Sequence, residues 1–219
     1  MGAVTNFVVR KFPYVSGYLH YFWNVRVLRK FRAYSLNDRI DLYDYSKDAF
    51  ASFGSIRSQH HLEVPFSILS AIPDVDFKSL LCIGPRFTVE LFVAASKGFE
   101  LANIKALDLF SFSDLIEVGD MHEMPYEPGS FANVMAGRLL AYSKTPELAA
   151  REMLRVLKPG GYLYVSGDST FGLESYDGLF KGATRVAGLE GVSLYSSKYP
   201  DLQAASDNTC VLAVYKKQR

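Results

Sequence analysis

Cysteine is nearly absent from this chain: Cys82 and Cys210 are the only two in 219 residues. They stand far apart with no Cys-x-x-Cys or zinc-type spacing, so neither a disulfide framework nor a metal site is expected. Both fall in apolar, strand-like runs and read as reduced core residues. Long apolar runs are missing too. The stretch 12–25 is apolar and aromatic but too short to span a bilayer, and it contains Pro13 and Gly17. Arg10 and Lys11 interrupt the start and no A-x-A pattern comes after them, so no signal peptide is expected and the expected location is cytoplasmic. No P-loop, nucleophile elbow, internal repeat or low-complexity tract occurs.

Acids are absent from residues 1–35. That segment holds Arg10, Lys11, Arg26, Arg29, Lys30 and Arg32, a local +6 in a chain whose net charge is +1. The whole molecule therefore has no general bias towards nucleic acid or an acidic partner. Locally, two readings are open. The basic residues, with aromatics between them, suit contact with phosphate, anionic lipid or an acidic substrate. Equally, a helix could turn its basic side to water while its aromatics cover the main domain. Phe12, Tyr14, Tyr18, Tyr21, Phe22 and Trp23 are more aromatics than a free linker carries, and such side chains need a surface to bury against. Residues 10–32 are thus expected to form a lid over an acceptor pocket, with peripheral membrane contact as a further role.

What is present describes a folded α/β protein. The chain is 49% hydrophobic and 21% charged, a globular composition. An extended start leads to an expected helix over 18–33. Residues 36–54 are polar and tyrosine-rich, with Asp38, Asp41, Asp44 and Asp48 in a loose helical rhythm, and a helix over 60–72 ends at Pro73. Beyond this point expected strands at 79–83, 103–108, 116–119, 132–137 and 162–167 alternate with helices at 88–98 and 145–156. Such alternation is the pattern of a parallel sheet with crossover helices. The last apolar runs, 191–196 and 209–215, are separated by a short segment with Pro200 and a Ser206-Asp207-Asn208 cluster. A turn fits there and a helical crossover does not, so these strands should pair antiparallel. The expected division is an N-terminal helical extension, 1–72, and an α/β domain, 73–219.

A nucleoside site in such a fold needs a turn after the first strand that lets the backbone approach the ligand, and an acid after the second strand for ribose hydroxyls. Gly84 supplies part of the first. Asp108 ends the second strand 24 residues later, near the expected spacing of about 20. An Asp at a strand end can also simply cap the next helix.

Further on, VGDMHEMPYEPGSFANVMAGRLLAYS is succeeded by PELAAREMLRVLKPGGYLYVSG. Here the chain resembles the class I S-adenosylmethionine-dependent methyltransferases, particularly their small-molecule branch. That family shows a strand ending in Gly-Asp-Met, a Leu-Pro-Phe-like hairpin, Ser-Phe-Asp-Val, and a helix ending in Arg-Val-Leu-Lys-Pro-Gly-Gly. The resemblance spans about 78–167 closely and the terminal strand pair by pattern. It implies a Rossmann-like, mostly parallel sheet with an antiparallel last strand, and S-adenosylmethionine as cofactor. It implies that Asp108, with Leu109 beside it, receives the ribose hydroxyls. Asp120 would meet the adenine amino group with the Met121 backbone beside the ring, and Gly137 and Arg138 would border the methionine end. Plainer roles exist for three of them: a capping Asp108, an Asx-turn Asp120 and a solvent-facing Arg138.

The glycine loop departs from the family. Its Asp/Glu-x-Gly-x-Gly-x-Gly positions are Cys82, Gly84, Arg86 and Thr88, with Pro85 and Phe87 between, and the Asp of Ser-Phe-Asp-Val is Ala132. A residue other than Gly disfavours positive φ and adds a Cβ where the backbone would meet a ligand. Either Arg86 makes a contact of its own, for example to the methionine carboxylate, or the loop has decayed. Because Asp108 and Asp120 are both retained, the expectation is a modified, working loop formed by Gly84, Pro85 and Arg86.

The resulting expectation is an enzyme that transfers a sulfonium methyl in line to a small-molecule acceptor. His122, Arg138 and Tyr142 are the candidate catalytic groups, with His60, His61 and Tyr126 behind them. The segment 167–178 is expected as an acceptor-side loop. Two rivals stand beside this reading: a non-catalytic scaffold or partner-binding subunit of the same fold, and a nucleic-acid methyltransferase. The second lacks a base-binding Asn/Asp-Pro-Pro-Tyr/Phe motif, having Ala136, Gly137, Arg138 and Leu139 in that place, and nucleic acid is not expected as a partner.

Overall fold

The computed structural model describes residues 3–34, 60–168, 172–193 and 209–219. The expectations for 36–54 and for the turn between the last two strands lie outside the described residues.

Strand β2 (Leu80–Ile83) starts the main sheet with all four side chains buried. Alternate residues feed opposite layers: Leu80 and Cys82 join one hydrophobic cluster, Leu81 and Ile83 the other, as a two-residue period dictates. With β3 (Ile104–Asp108), β5 (Glu117–Val118), β6 (Phe131–Gly137), β7 (Leu157–Asp168), β8 (Ala183–Ser193) and β9 (Thr209–Lys217), it forms seven strands in the order β5-β3-β2-β6-β7-β9-β8. Pairing is parallel up to β7, and β9 runs antiparallel to both β7 and β8. This is the expected class I methyltransferase architecture. Cys82 and Cys210 are free and buried in it.

The chain winds outward from β2 through β3 to β5, then returns to the other side of β2 as β6. The order reverses between β2 and β6, and in open α/β sheets the crevice at such a reversal is where ligands bind. One face of the sheet is covered by α3 (His60–Ala71) and α4 (Val89–Ser96), the other by α5 (Pro146–Val156) and α6 (Leu173–Leu179). From α5, Arg155 donates to the carbonyls of Met124 at 3.0 Å and Tyr126 at 2.7 Å. Its neighbour Glu152 accepts the Met124 N–H at 3.0 Å. The Arg-Val-Leu-Lys-Pro-Gly-Gly marker thus pins down the hairpin that comes after Asp120.

The N-terminal segment differs from expectation. Its start is helical, α1 (Ala3–Lys11), and a second helix, α2 (Pro13–Tyr21), begins at a proline in the first helical turn, where the missing N–H costs nothing. α2 widens into a π turn, Phe22–Val27, and stops at Arg29, whose φ is +51°. The expected helix over 18–33 therefore ends early. Strand β1 (Arg32–Ala33) comes next and pairs antiparallel with β4 (Phe110–Ser111), directly after Asp108.

Two more differences fall near the C-terminus. Within the expected loop 167–178, Leu173–Leu179 is helical. Strand β8 starts at Ala183, well before the expected 191, and is broken by register shifts between Arg185 and Ala187 and between Leu189 and Val192. Its glycines and bulges interrupt the apolar alternation that marks a strand in sequence.

Candidate functional site

The loop after β2 turns at Gly84, where φ is +70° and the N–H donates to the Leu107 carbonyl of β3 at 2.8 Å. The positive φ is what calls for glycine; a Cβ here would also lie 2.8 Å from Leu139 Cδ1 and push that side chain aside. Beyond Gly84, Thr88, which replaces an expected glycine, and the intervening Phe87 face the N-terminal helices. Phe87 meets Tyr21 edge-on, with ring centroids 5.9 Å apart, and Phe112 at 6.0 Å. Thr88 is fully buried, its Oγ1 3.2 Å from His20 Nδ1. Burial, then the nearby Lys30 charge, holds His20 below its usual range. Gly17 lets α2 approach so closely that a Cβ would lie 2.8 Å from Val89 Cβ. Phe87, Thr88 and Val89, the end of the divergent loop and the start of α4, are thus the anchor points of the N-terminal helices.

Pro85 is buried and Arg86 half-buried at the same turn. The Arg86 charge lies near two carboxyls, Asp108 and Glu90, and opposes the upward shift of both. Burial raises Asp108 to about 6, while the Phe110 N–H, donated to its Oδ1 at 3.1 Å, and Arg86 pull the other way. Glu90, in the first turn of α4, is raised to about 8. Burial is the main cause and the Asp108 charge adds to it; Arg86 and the backbone N–H groups of Phe87 and Arg86 favour its ionised form. Its charge is also felt at Cys82, whose thiol is raised chiefly by burial and next by Glu90.

Sequence reasoning missed Glu90. An acid in the first turn of a helix is an ordinary choice against the helix dipole, so nothing in the pattern sets it apart. In space, it brings an acid close to the strand position where Cys82 stands in place of the family's Asp or Glu.

Asp120 begins the hairpin on the far wall. Its Oδ1 accepts the His122 N–H at 2.9 Å and contacts His122 Nδ1, while His122 Nε2 lies 2.7 Å from Ser143 Oγ. Ser143 Oγ in turn accepts the Thr145 N–H at 3.0 Å. His122 therefore links the hairpin to the segment before α5, with both ring nitrogens engaged. Tyr126 donates to Glu117 of β5 at 2.9 Å and is not among the residues that line the cleft.

Gly84, Asp108, Leu109, Asp120 and Met121 come together with Ile83, Leu107, Gly119 and Leu139 around one cleft at the carboxyl ends of the strands. It holds about 320 Å³ including its open mouth. Apolar walls carrying two carboxylates suit a flat heterocycle joined to a polyhydroxylated ring. Pro85, Arg86 and Gly137 border this cleft without lining it. Gly137 ends β6, and Arg138 holds a strained left-handed φ of +52°. Two bonds fix that strain: the Arg138 N–H donates to the Ser166 carbonyl at 2.9 Å and to Ser166 Oγ at 3.1 Å. The Arg138 charge is felt at Cys210 on β9, which puts it on the β7–β9 side, away from Asp108. Tyr142 is 48% exposed in the short 3-10 turn Leu140–Tyr142. The side chains of His60 and His61 lie outside the described residues. Among the described residues no group of His, Cys, Asp or Glu could hold a metal ion.

Residues 96–165 match the family model of a methyltransferase domain. No protein of curated function matches in sequence. Many solved structures share the fold, among them these three. One is a Haloferax volcanii chain described as a methyltransferase, in complex with the Trm112 methyltransferase activator: TM-score 0.56, 14% identity, covering 84% of this chain and 98% of that one. The second, from Listeria monocytogenes, is described as an S-adenosylmethionine dependent methyltransferase: TM-score 0.56, 14% identity, covering 73% and 99%. The third, an S-adenosylmethionine dependent methyltransferase from Mesorhizobium loti, has TM-score 0.53 and 13% identity, covering 69% and 96%. Domain and fold together indicate S-adenosylmethionine as the cofactor.

Proposed function

Starting from a chain with the class I S-adenosylmethionine-dependent methyltransferase fold and a methyltransferase domain, we propose that it transfers a methyl group to a small-molecule acceptor. The observation that carries this reading is the convergence of Gly84, Asp108 and Asp120 on one cleft at the point where the strand order reverses. In this reading Asp108 and the adjoining Leu109 hold the ribose. The Asp120 carboxylate takes the adenine amino group through the oxygen that His122 leaves open. The Met121 backbone lies along the ring, and the Gly84–Arg86 turn faces the methionine part.

S-adenosylmethionine supplies an electrophilic methyl on its sulfonium. The protein's task is then alignment: bringing the acceptor atom to about 3 Å from that carbon in line with the bond that breaks, and excluding water. A base is required only where the acceptor must lose a proton. Arg138, on the β7–β9 side of the crevice, is positioned to face an acceptor rather than the nucleoside. The N-terminal helices, anchored on Phe87, Thr88 and Val89, serve in this reading as a lid over the acceptor pocket from the β2–β4 side.

Calorimetric titration with S-adenosylmethionine and S-adenosylhomocysteine tests the reading. Saturable binding of both, weakened by Asp108→Ala in a folded protein, supports it. If neither ligand binds the wild type, the divergent loop has lost its cofactor and the scaffold reading takes its place.

A further inference from the structure

The N-terminal helices are amphipathic in an unusual sense, because the face turned away from the domain is the apolar one. Of the sixteen large hydrophobic side chains exposed among the described residues, twelve fall within 7–34. Phe12, Val15, Leu19, Phe22 and Trp23 recur at helical spacing along α2 and its π turn and are 47–60% exposed. The opposite face, Gly17, His20, Tyr21 and Asn24, is the one packed inward. An apolar stripe of this size on a soluble surface marks an interaction site.

The charges the segment itself carries are of one sign. Lys30 and Arg32 pair with Asp114, and Arg10 donates to the Phe99 carbonyl at 3.4 Å. Lys11, Arg26 and Arg29 are exposed and form no ion pair among the described residues. No acid occurs anywhere in 1–35 to balance them. Asp114 is taken up by Lys30 and Arg32 and Glu63 accepts from Tyr14, so a protein partner of mixed charge finds no acid of this segment to meet its own bases. A surface that is uniformly anionic outside and apolar beneath matches both features at once. Tryptophan and other aromatics beside Lys and Arg, on helices of nine residues each, suit a segment lying in the headgroup region. Among the described residues no helix is long and apolar enough to cross a membrane.

We propose that α1, α2 and the π turn form a peripheral docking face for anionic lipid bilayers. Phe12, Leu19, Phe22 and Trp23 enter the acyl boundary, and Lys11, Arg26 and Arg29 contact the headgroups. The inner side of the same helices holds the Gly84–Thr88 loop, so docking orients the cofactor end of the sheet towards the membrane.

Trp23 is the only tryptophan in the chain, which makes its emission a local probe in the intact protein. Full-length protein is floated with phosphatidylcholine vesicles, with or without 30% phosphatidylglycerol, while Trp23 emission is recorded. Three exposed bases should strengthen partitioning onto the anionic vesicles on the order of a hundredfold, with a blue shift of Trp23 and loss of binding at high salt. Leu19→Glu with Phe22→Glu, and separately Arg26→Glu with Arg29→Glu, should abolish flotation while leaving the thermal melt and cofactor titration unchanged. If the apolar pair of substitutions unfolds the protein, quenching of wild-type Trp23 by brominated lipid decides instead, and unquenched emission overturns the proposal. Absence of flotation on anionic vesicles overturns it, as does flotation without any change at Trp23. Self-association through this face, detected by sedimentation and removed by Leu19→Glu, would overturn it in favour of a second copy as occupant. None of these readouts requires methyl transfer, so this proposal and the enzymatic reading can fail separately.

Discussion

Tyr21 on the second N-terminal helix meets Phe87 of the divergent loop edge-on, their ring centroids 5.9 Å apart and their planes at 76°. Both side chains are buried, so the segment that precedes the sheet and the turn that shapes the cleft share one packing contact. Truncating a buried aromatic costs about 3–5 kcal/mol, and edge-to-face pairs contribute about 0.5–1.5 kcal/mol beyond area. Phe87→Ala and Tyr21→Ala should each lower the urea midpoint, with a coupling near the latter value in a double-mutant cycle. Strict additivity would mean that loop and helices are mechanically independent.

Asp108 is the residue on which cofactor affinity should depend most. A hydrogen bond to a charged acceptor is worth about 1.5–3 kcal/mol, so Asp108→Ala should weaken S-adenosylmethionine binding by about 10- to 150-fold. Its carboxyl is raised to about 6. Affinity should therefore be constant above pH 7 and fall as pH drops through 6, by up to about tenfold per unit. Titrations between pH 5 and 8 measure this, and a flat profile would remove Asp108 from the binding reaction.

Arg86 opposes the upward shifts of both Asp108 and Glu90. Replacing it with Ala should move the pH profile of cofactor affinity to higher pH. If Arg86 also reaches the methionine carboxylate, the same variant should weaken the full cofactor more than it weakens adenosine. Equal losses for the two ligands would confine Arg86 to tuning the acids.

Glu90 should make stability fall towards alkaline pH. Its carboxyl is raised from 4.5 to about 8 in the folded protein. Between those values the folded chain holds a proton that the unfolded chain has released, so stability drops as pH rises, by about 1.4 kcal/mol per unit. The contribution is fully present below 4.5 and lost once pH passes 8. Between pH 7 and 8 Asp108 is largely ionised in both states, leaving Glu90 as the dominant source among these acids. Glu90→Gln should flatten the dependence of the urea midpoint over that range.

His122 is held at both ring nitrogens, by Asp120 and by Ser143, which is the arrangement of a strut rather than of a free base. His122→Ala should weaken cofactor binding several-fold by loosening Asp120 and leave the pH dependence of the methyl-transfer step unchanged. Loss of methyl transfer with cofactor affinity retained would instead make His122 the base.

The sheet could be read from the sequence because its signal is local. Buried parallel strands are short apolar runs, and their helices lie at regular distances between them. Asp108 was legible for a related reason, since it lies at a strand end at a spacing set by the fold; Asp120 was legible only through the family's Gly-Asp-Met resemblance. Strand β8 was read too short because Gly188 and Gly191 interrupt its apolar alternation, while the bulges that accommodate them depend on pairing with β9. The outward apolar face of α2 was misjudged as well. A helical period separates two faces, but it does not say which of them meets the domain.

By itself, then, the amino-acid sequence determined the layer architecture, the antiparallel last strand and Asp108 at its strand end, all of which derive from periodicity and spacing along the chain, while Asp120 came from the family resemblance. Only the tertiary structure decided what the divergent loop does. Phe87 and Thr88 gain their partners Tyr21 and His20 from some 66–68 residues earlier. Glu90 acquires its raised carboxyl from burial and from Asp108 on the neighbouring strand. Desolvation and contact between distant segments are properties of the folded arrangement, and no window of sequence contains them.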